Sequence, residues 1–121
     1  MTLKILIADD SEFMRNIIRN ILIKQGINEI YDAKDGVECV KKYNENKPDL
    51  IFLDIMMPNK SGLEALKEIK KQDPQAKVVI ISSLQKQKDF DEKKFGVSGY
   101  ISKPFEEQDI IKAIKNNTNK R

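Results

Sequence analysis

The chain alternates between short, continuous apolar runs and longer segments in which apolar residues recur at helical spacing. The runs LKILIA, LIFLD and VVIIS are rich in Ile, Leu and Val, a composition typical of parallel strands that are covered on both faces. The pattern predicts five strands, at residues 4–8, 29–32, 50–54, 77–82 and 99–102.

Five helices are predicted after these strands, at residues 11–25, 36–43, 61–71, 85–95 and 105–116. The first has a wide apolar stripe that includes Phe13, and the stripe of the second begins with Val37. The letters SGLE at the start of the third helix predict a capping box with Ser61 as the N-cap. The helix at 85–95 has only Phe90 and Phe95 as large apolar side chains, so we expect it to be among the less stable elements.

Strands that alternate with helices across short connections predict a parallel α/β fold with right-handed crossovers. The 121 residues suffice for one hydrophobic core, and we find no linker, low-complexity tract or internal repeat. Residues 1–121 are therefore expected to form one domain without a separate output domain. The C-terminal letters NNTNKR are either a frayed end or the point at which a longer protein continues.

Composition and charge narrow the classes of function. Charged residues make up 34% of the chain and no apolar run is long enough to cross a bilayer, so we expect a cytoplasmic protein that does not enter membranes. The net charge of +3 is too small to indicate nucleic-acid binding. The absence of histidine excludes a histidine-based triad, a histidine-ligated metal and a histidine phosphocarrier role. Cys39 lies on an apolar helix face and is expected to be buried and unreactive.

Polar residues with complementary chemistry follow four of the predicted strands. The first strand runs into Asp9 and Asp10, and the third ends in Asp54. Ser82 ends the fourth strand, and Lys103 comes just after the fifth. Parallel α/β sheets bind ligands at the carboxyl ends of their strands. If the first and third strands are neighbours, three carboxylates meet there, with a hydroxyl and an ammonium group opposite.

Three carboxylates in one place repel one another unless a cation lies between them. Oxygen ligands without imidazole or thiolate favour Mg²⁺, which readily takes up a phosphate oxygen. Lys103 and Ser82 would then contact a phosphoryl group, and Asp54 is the natural carboxylate acceptor. Taken singly, Asp10 could be a helix N-cap, Asp54 a polar strand end and Lys103 a surface lysine. The combination of all of them favours the site.

The segments ILIADDSEFMR, PDLIFLDIMMPNKSGLEALKEI, VVIISS and GYISKPF resemble the receiver domains of two-component response regulators, in order and over essentially the whole chain. The resemblance implies a flavodoxin-like, doubly wound (βα)5 fold with strand order 2-1-3-4-5 and three α/β/α layers. It also implies a signalling protein rather than an enzyme, whose only chemistry is its own phosphorylation and dephosphorylation.

The resemblance assigns roles to the acidic residues. Asp54 corresponds to the aspartate that a histidine kinase phosphorylates. Asp9 and Asp10 correspond to the acidic pair that binds Mg²⁺, with Mn²⁺ as an alternative ion. Asp54 and the main-chain carbonyl of Met56 are the remaining protein ligands that the resemblance implies.

The resemblance also implies a conformational switch. Lys103 corresponds to the lysine that contacts the phosphoryl group, and the Lys103–Pro104 peptide bond is expected to be cis. Ser82 and Tyr100 correspond to the hydroxyl and aromatic positions that move when the aspartate is phosphorylated. The fourth helix, fifth strand and fifth helix of the prediction would form the output surface.

Two apolar positions are expected to affect the lifetime of the phosphoryl group. In receiver domains, the residues two places after the acceptor and two places after the switch hydroxyl often flank the attacking water. Here they are Met56 and Leu84, which cannot hold a water by hydrogen bonds. We therefore expect slow self-dephosphorylation relative to receivers with polar residues at these positions.

The sequence most resembles chemotaxis-type, CheY-like receivers. This type of receiver implies a monomer with a CheA-like sensor kinase and a motor switch or adaptor as output partner. A phosphorelay intermediate and the receiver part of a longer DNA-binding regulator remain open alternatives. A Mg²⁺-dependent phosphohydrolase is disfavoured because ADDS lacks two aspartates spaced two residues apart on one strand. A flavodoxin-like FMN protein is disfavoured because no phosphate-binding loop follows the first strand.

Overall fold

The computed structural model describes residues 3–57, 59–83 and 95–118. These residues form a five-stranded parallel sheet with the order β2-β1-β3-β4-β5, which confirms the predicted α/β class and strand order. The strands are β1 (Lys4–Ala8), β2 (Glu29–Ala33), β3 (Leu50–Leu53), β4 (Val78–Ser82) and β5 (Gly99–Ser102).

Helices lie on both faces of the sheet. The described ranges contain α1 (Glu12–Lys24), α2 (Gly36–Asn46), α3 (Gly62–Gln72) and the C-terminal helix α4 (Glu107–Thr118). The helix predicted at 85–95 lies, apart from Phe95, outside the described residues and stays a prediction. No helix within the described part of the chain is both long enough and apolar enough to span a membrane.

The inner strands send alternate side chains into two separate hydrophobic clusters, one on each face of the sheet. α2 and α3 cover one cluster, and α1 and α4 cover the other. Burial on both faces explains why these strands are continuous apolar runs rather than alternating ones. The first cluster includes Leu6, Ile51, Ile80, Cys39 and Leu66, and the second includes Ile7, Phe52, Val79, Ile18 and Ile110.

The helix ends follow the predicted chemistry, with one correction. Ser61 and Glu64 form the capping box at the start of α3. Gly26, with φ of 84°, follows the end of α1, as a C-terminal glycine should. The N-cap of α1 is Ser11, whose side chain accepts from the Met14 N–H, so the simple interpretation of Asp10 as that cap is wrong.

Several predicted boundaries and two buried positions differ from the structure. β3 ends one residue before Asp54, α2 continues three residues beyond its predicted end, and α4 begins two residues later than predicted. Phe13 and Val37 are 73% and 55% exposed, although both were assigned to buried stripes. Each lies in the first turn of its helix.

Candidate functional site

The backbone at the carboxyl edge of the sheet brings the predicted acidic residues together. β1 lies between β2 and β3, so the ends of these strands are adjacent. The Asp9 N–H donates to the Ala33 carbonyl at 3.0 Å, and the Asp54 N–H donates to the Ala8 carbonyl at 2.9 Å. These bonds extend the sheet ladder by one residue beyond β1 and β3. The two aspartates therefore leave the sheet side by side.

Asp9 and Asp54 are held in matching ways. In each, Oδ1 accepts at 2.9 Å from the main-chain N–H two residues later, which belongs to Ser11 or Met56. In each, Oδ2 accepts from the Lys103 ammonium, at 2.8 Å for Asp9 and 3.1 Å for Asp54. Both carboxylates are buried, with only 2% of Asp9 and 5% of Asp54 exposed. A buried charge requires such partners, because desolvation otherwise costs several kcal/mol.

Asp10 supplies a third carboxylate on the solvent side of the pair. Carboxylate oxygens of Asp9, Asp10 and Asp54 lie within 4.8 Å of one another. Asp10 itself is exposed, and its carboxylate makes no hydrogen bond or ion pair with any described residue. Three converging oxygen donors without nitrogen or sulfur fit a hard divalent cation such as Mg²⁺. The donor set of this pocket therefore suits the predicted metal.

Burial and charge act in opposite directions on the ionisable groups of the pocket. Burial raises the pKa of the Asp54 carboxyl, although the Met56 N–H and the Lys103 charge partly oppose this effect. Burial disfavours the charged form of Lys103, but the hydrogen bond and charge of Asp9, followed by those of Asp54, outweigh it, so the pKa of Lys103 is raised. Lys103 is therefore cationic in this pocket.

Two glycines let the loop after β3 pack closely against its surroundings. A Cβ on Gly62 would lie 2.2 Å from the Asp54 carbonyl oxygen, so no other residue fits there without movement. A Cβ on Gly36 would lie 2.0 Å from the Lys60 carbonyl oxygen. The Asn59 side chain also donates to Asp35, the N-cap of α2, at 2.8 Å. The start of α2 and the start of α3 thus both support the loop that begins at Asp54.

The remaining predicted site residues lie on or just after β3, β4 and β5. Ser82 is fully buried at the end of β4, and its carbonyl accepts from the Lys103 N–H at 2.7 Å. Tyr100 is half-buried in β5, opposite Ile80 of β4, and packs against the cluster beneath α2 and α3. Met56 is 55% exposed beside Asp54. The Lys103–Pro104 peptide bond is cis.

Gly62 and Arg15 contact residues of the pocket, although the sequence pattern did not predict either of them as a site residue. Gly62 approaches the backbone of Asp54, as described above. Arg15 donates to the main-chain carbonyl of Asp9 at 2.6 Å. The available signals were weak, namely a glycine at the start of a helix and an arginine one turn into the helix that follows the acidic pair.

Comparison with known proteins identifies the family. The model of the response regulator receiver domain family matches residues 5–115. The chain belongs to this family. Receiver domains are the response-regulator components of two-component signalling, so the predicted family and the fold implied by the resemblance are both confirmed.

Several relatives of this receiver domain are chemotaxis proteins. It is 40% identical over 120 residues to the chemotaxis protein CheY of Bacillus subtilis, covering 98% of this chain and 100% of the relative. It is 44% identical over 116 residues to CheY of Halobacterium salinarum, covering 94% of this chain and 95% of the relative. A Borrelia burgdorferi structure of a complex of CheX, CheY, BeF3 and Mg²⁺ has a TM-score of 0.88 and 32% identity, covering 93% of this chain and 87% of that one.

Proposed function

We propose that this receiver domain is a phosphoacceptor of a two-component system in which a histidine kinase phosphorylates Asp54 in the presence of Mg²⁺. The observation that carries the proposal is the contact of one ammonium group, that of Lys103, with both buried carboxylates, Asp9 and Asp54. A third carboxylate, that of Asp10, stands beside them. A metal, a phosphoryl group and a cationic contact can all be accommodated by this set of residues.

The metal would be held by the carboxylates of Asp9, Asp10 and Asp54 and by the main-chain carbonyl of Met56, with Mn²⁺ as an alternative ion. When bound, Mg²⁺ supplies positive charge to the oxygens of a transferring phosphoryl group. The mutual repulsion of the three carboxylates favours uptake of such an ion. Support for this assignment comes from the oxygen-only donor set and from the Mg²⁺ in the structure of the Borrelia burgdorferi relative.

The transfer step requires an unprotonated Asp54. A carboxylate oxygen of Asp54 forms a bond to phosphorus as the bond between phosphorus and the imidazole nitrogen of the kinase breaks, and the nitrogen keeps the electron pair. Lys103, which already contacts the Asp54 Oδ2, is placed to hold the oxygens of the incoming group. The product is an acyl phosphate on Asp54, and its hydrolysis regenerates the carboxylate.

Phosphorylation would be read out through Ser82, Tyr100 and a surface of β5 and α4. The predicted contribution of the helix at 85–95 to this surface lies, apart from Phe95, outside the described residues. We expect the partners to be a CheA-like kinase and a downstream motor switch or adaptor. We also expect the chain to act as a cytoplasmic monomer that does not bind nucleic acid. Chemotaxis is supported by the names of the Bacillus and Halobacterium relatives, which align over nearly their whole length. The Borrelia burgdorferi structure, which contains CheX, supports regulation through protein contacts.

Intact mass after incubation with acetyl phosphate tests the proposal. The wild type is incubated with and without Mg²⁺ beside Asp54→Asn and a control, Asp49→Asn. Asp49 is an exposed aspartate just before β3, at the opposite edge of the sheet, and it accepts from the Lys4 N–H. We expect one phosphoryl adduct that depends on Mg²⁺, is absent from Asp54→Asn and is retained in Asp49→Asn.

Two outcomes would contradict parts of the proposal. An adduct that persists in Asp54→Asn would show that another residue is the acceptor. A folded wild type that takes up no phosphoryl group from acetyl phosphate with Mg²⁺ present would contradict self-phosphorylation and leave only transfer from the kinase. Steady turnover of an external phosphoester would instead indicate the phosphohydrolase that the sequence disfavours.

A further inference from the structure

Arg15 links the acidic pocket to β2, the edge strand of the sheet. Its Nη1 donates to the Asp9 main-chain carbonyl at 2.6 Å, and its Nε donates to Asp32 Oδ2 at 3.1 Å. The Arg15 main-chain N–H also closes the first turn of α1 on the Ser11 carbonyl. Its side chain is only 14% exposed. Arg15 therefore connects the start of α1, the turn after β1 and the end of β2.

Asp32 is a fixed anchor for this arginine. It lies opposite Ile7 in the β1–β2 pairing, one residue before the end of β2. Its carboxylate also accepts from Arg19, one turn further along α1, and its main-chain carbonyl accepts from Lys42 of α2 at 2.9 Å. Strand pairing and two helices thus hold Asp32 in place, and the guanidinium of Arg15 is oriented by it.

The carbonyl that Arg15 contacts belongs to the peptide between Asp9 and Asp10. Asp9 itself has other restraints, because its carboxylate binds the Ser11 N–H and Lys103. Asp10 is different, since its exposed carboxylate contacts no described residue and its direction depends on the backbone that leads into it. The hydrogen bond from Arg15 fixes the plane of that peptide.

We propose that Arg15, held by Asp32, is a positioning residue that orients the Asp9–Asp10 peptide so that the two carboxylates bind a divalent cation together with that of Asp54. This inference rests on the proposed function. Outer groups that orient metal ligands typically contribute about 10-fold to 100-fold to metal affinity. The guanidinium suits the task because its fork donates to two acceptors at once, whereas a lysine ammonium has no such rigid fork.

The sign of the effect separates positioning from simple electrostatics. Removing a positive charge near three carboxylates should, by charge alone, tighten Mg²⁺ binding. Loss of positioning should weaken it. We therefore expect Arg15→Met to bind Mg²⁺ at least about 10-fold more weakly than the wild type. We expect Arg15→Lys to recover little of that affinity, because an ammonium lacks the rigid fork that donates to the Asp9 carbonyl and to Asp32 at once.

Arg19→Met is the matched control. Arg19 lies on the same helix and binds the same Asp32 carboxylate, but the structure gives it no bond to the Asp9 carbonyl. Its replacement removes one charge and one Asp32 contact and should not weaken Mg²⁺ binding. Titration calorimetry with MgCl2 gives the dissociation constants, and amide NMR of Ser11 reports the local geometry. Circular dichroism confirms that each variant is folded at the temperature used.

The results separate this inference from the proposed function. Weakened binding in both Arg15 variants with unchanged or tighter binding in Arg19→Met supports the positioning role. Equal or tighter binding in Arg15→Met overturns it and leaves the metal site intact. Restoration of full affinity by Arg15→Lys also overturns it, because a single ammonium donor would then suffice without the guanidinium fork that Asp32 holds. A wild type that binds no Mg²⁺ overturns both the metal site and this role.

Discussion

Replacement of Lys103 by methionine should make the stability of the protein depend on Mg²⁺. In the metal-free pocket, Lys103 is the cation bound to two buried carboxylates, those of Asp9 and Asp54. Methionine keeps most of the aliphatic volume but cannot donate to either oxygen. The two carboxylates would then face each other and Asp10 without a counter-charge from this side chain.

The loss can be estimated from the two contacts. A hydrogen bond to a charged group contributes about 1.5–3 kcal/mol, and removal of one member of a buried ion pair costs about 3–5 kcal/mol. The exposure of Asp10 admits water, so we take the lower end, about 3 kcal/mol. For a chain of this size, that corresponds to a fall in Tm of about 10 °C. Mg²⁺ at 100 times its Kd would return about 2.7 kcal/mol.

Thermal and urea denaturation with and without MgCl2 measure this effect. In Lys103→Met, Mg²⁺ should raise Tm by more than it does in the wild type, because the ion no longer competes with the ammonium for Asp9 and Asp54. The control is Lys41→Met, which removes the same charge from an exposed position on α2. We expect this control to behave like the wild type in both conditions.

Three results would contradict this expected loss of stability. If Lys103→Met without Mg²⁺ is as stable as the wild type, the two ion pairs contribute no net stability and the pocket tolerates its own negative charge. If the variant is destabilised but Mg²⁺ does not restore it, the three carboxylates do not form a cation site. A loss of stability in Lys41→Met of the same size would point to net charge rather than to the pocket.

Three further predictions concern the surroundings of the acceptor and the core. Met56→Asn and Leu84→Glu (the latter outside the described residues), singly and together, should speed the decay of the phosphoryl adduct followed by mass, and an unchanged rate would contradict the role given to these apolar side chains. Gly62→Ala should cost about 1–3 kcal/mol in urea denaturation, because its Cβ would overlap the Asp54 carbonyl; wild-type stability would show that the loop moves freely. Burial raises the pKa of Cys39 to about 12, so iodoacetamide at about pH 8 should label it only after denaturation; labelling of the folded protein would refute its burial.

The convergence of the acidic residues could be predicted from the sequence because it depends only on where the buried strands lie and on which residues end them. Buried parallel strands have a recognisable composition, and residues that end them share one edge of the sheet. Asp9, Asp54 and Lys103 therefore could be placed near one another before their distances were known. The roles of Ser82 and Tyr100 came from the resemblance to receiver domains, and they remain predictions.

The exposure of two helix residues, the N-cap of α1 and the contact of Arg15 could not be predicted, because they depend on how neighbouring elements pack against one another. The apolar stripes of the helices correctly indicated their buried faces, but not that Phe13 and Val37, in the first turns of α1 and α2, are exposed. Ser11 rather than Asp10 caps α1, and both residue types make good N-caps, so composition did not separate them. The hydrogen bond from Arg15 to the Asp9 carbonyl could not be predicted for another reason. Every residue has a main-chain carbonyl, and the sequence does not show which one an arginine will contact.

The charge balance of the pocket suits a site that exchanges its cation. Three carboxylates converge, and Lys103 supplies one positive charge to two of them, so the free pocket retains a negative excess. If fixed cations neutralised the pocket completely, a divalent ion would gain little electrostatic energy by binding. If Lys103 were absent, two buried carboxylates would be left unpaired whenever the ion dissociates. Arg15 donates to the main-chain carbonyl of Asp9 and has Asp32 as its ion-pair partner. This arrangement would add rigidity without pairing a second cation with the carboxylates that are proposed to bind the metal.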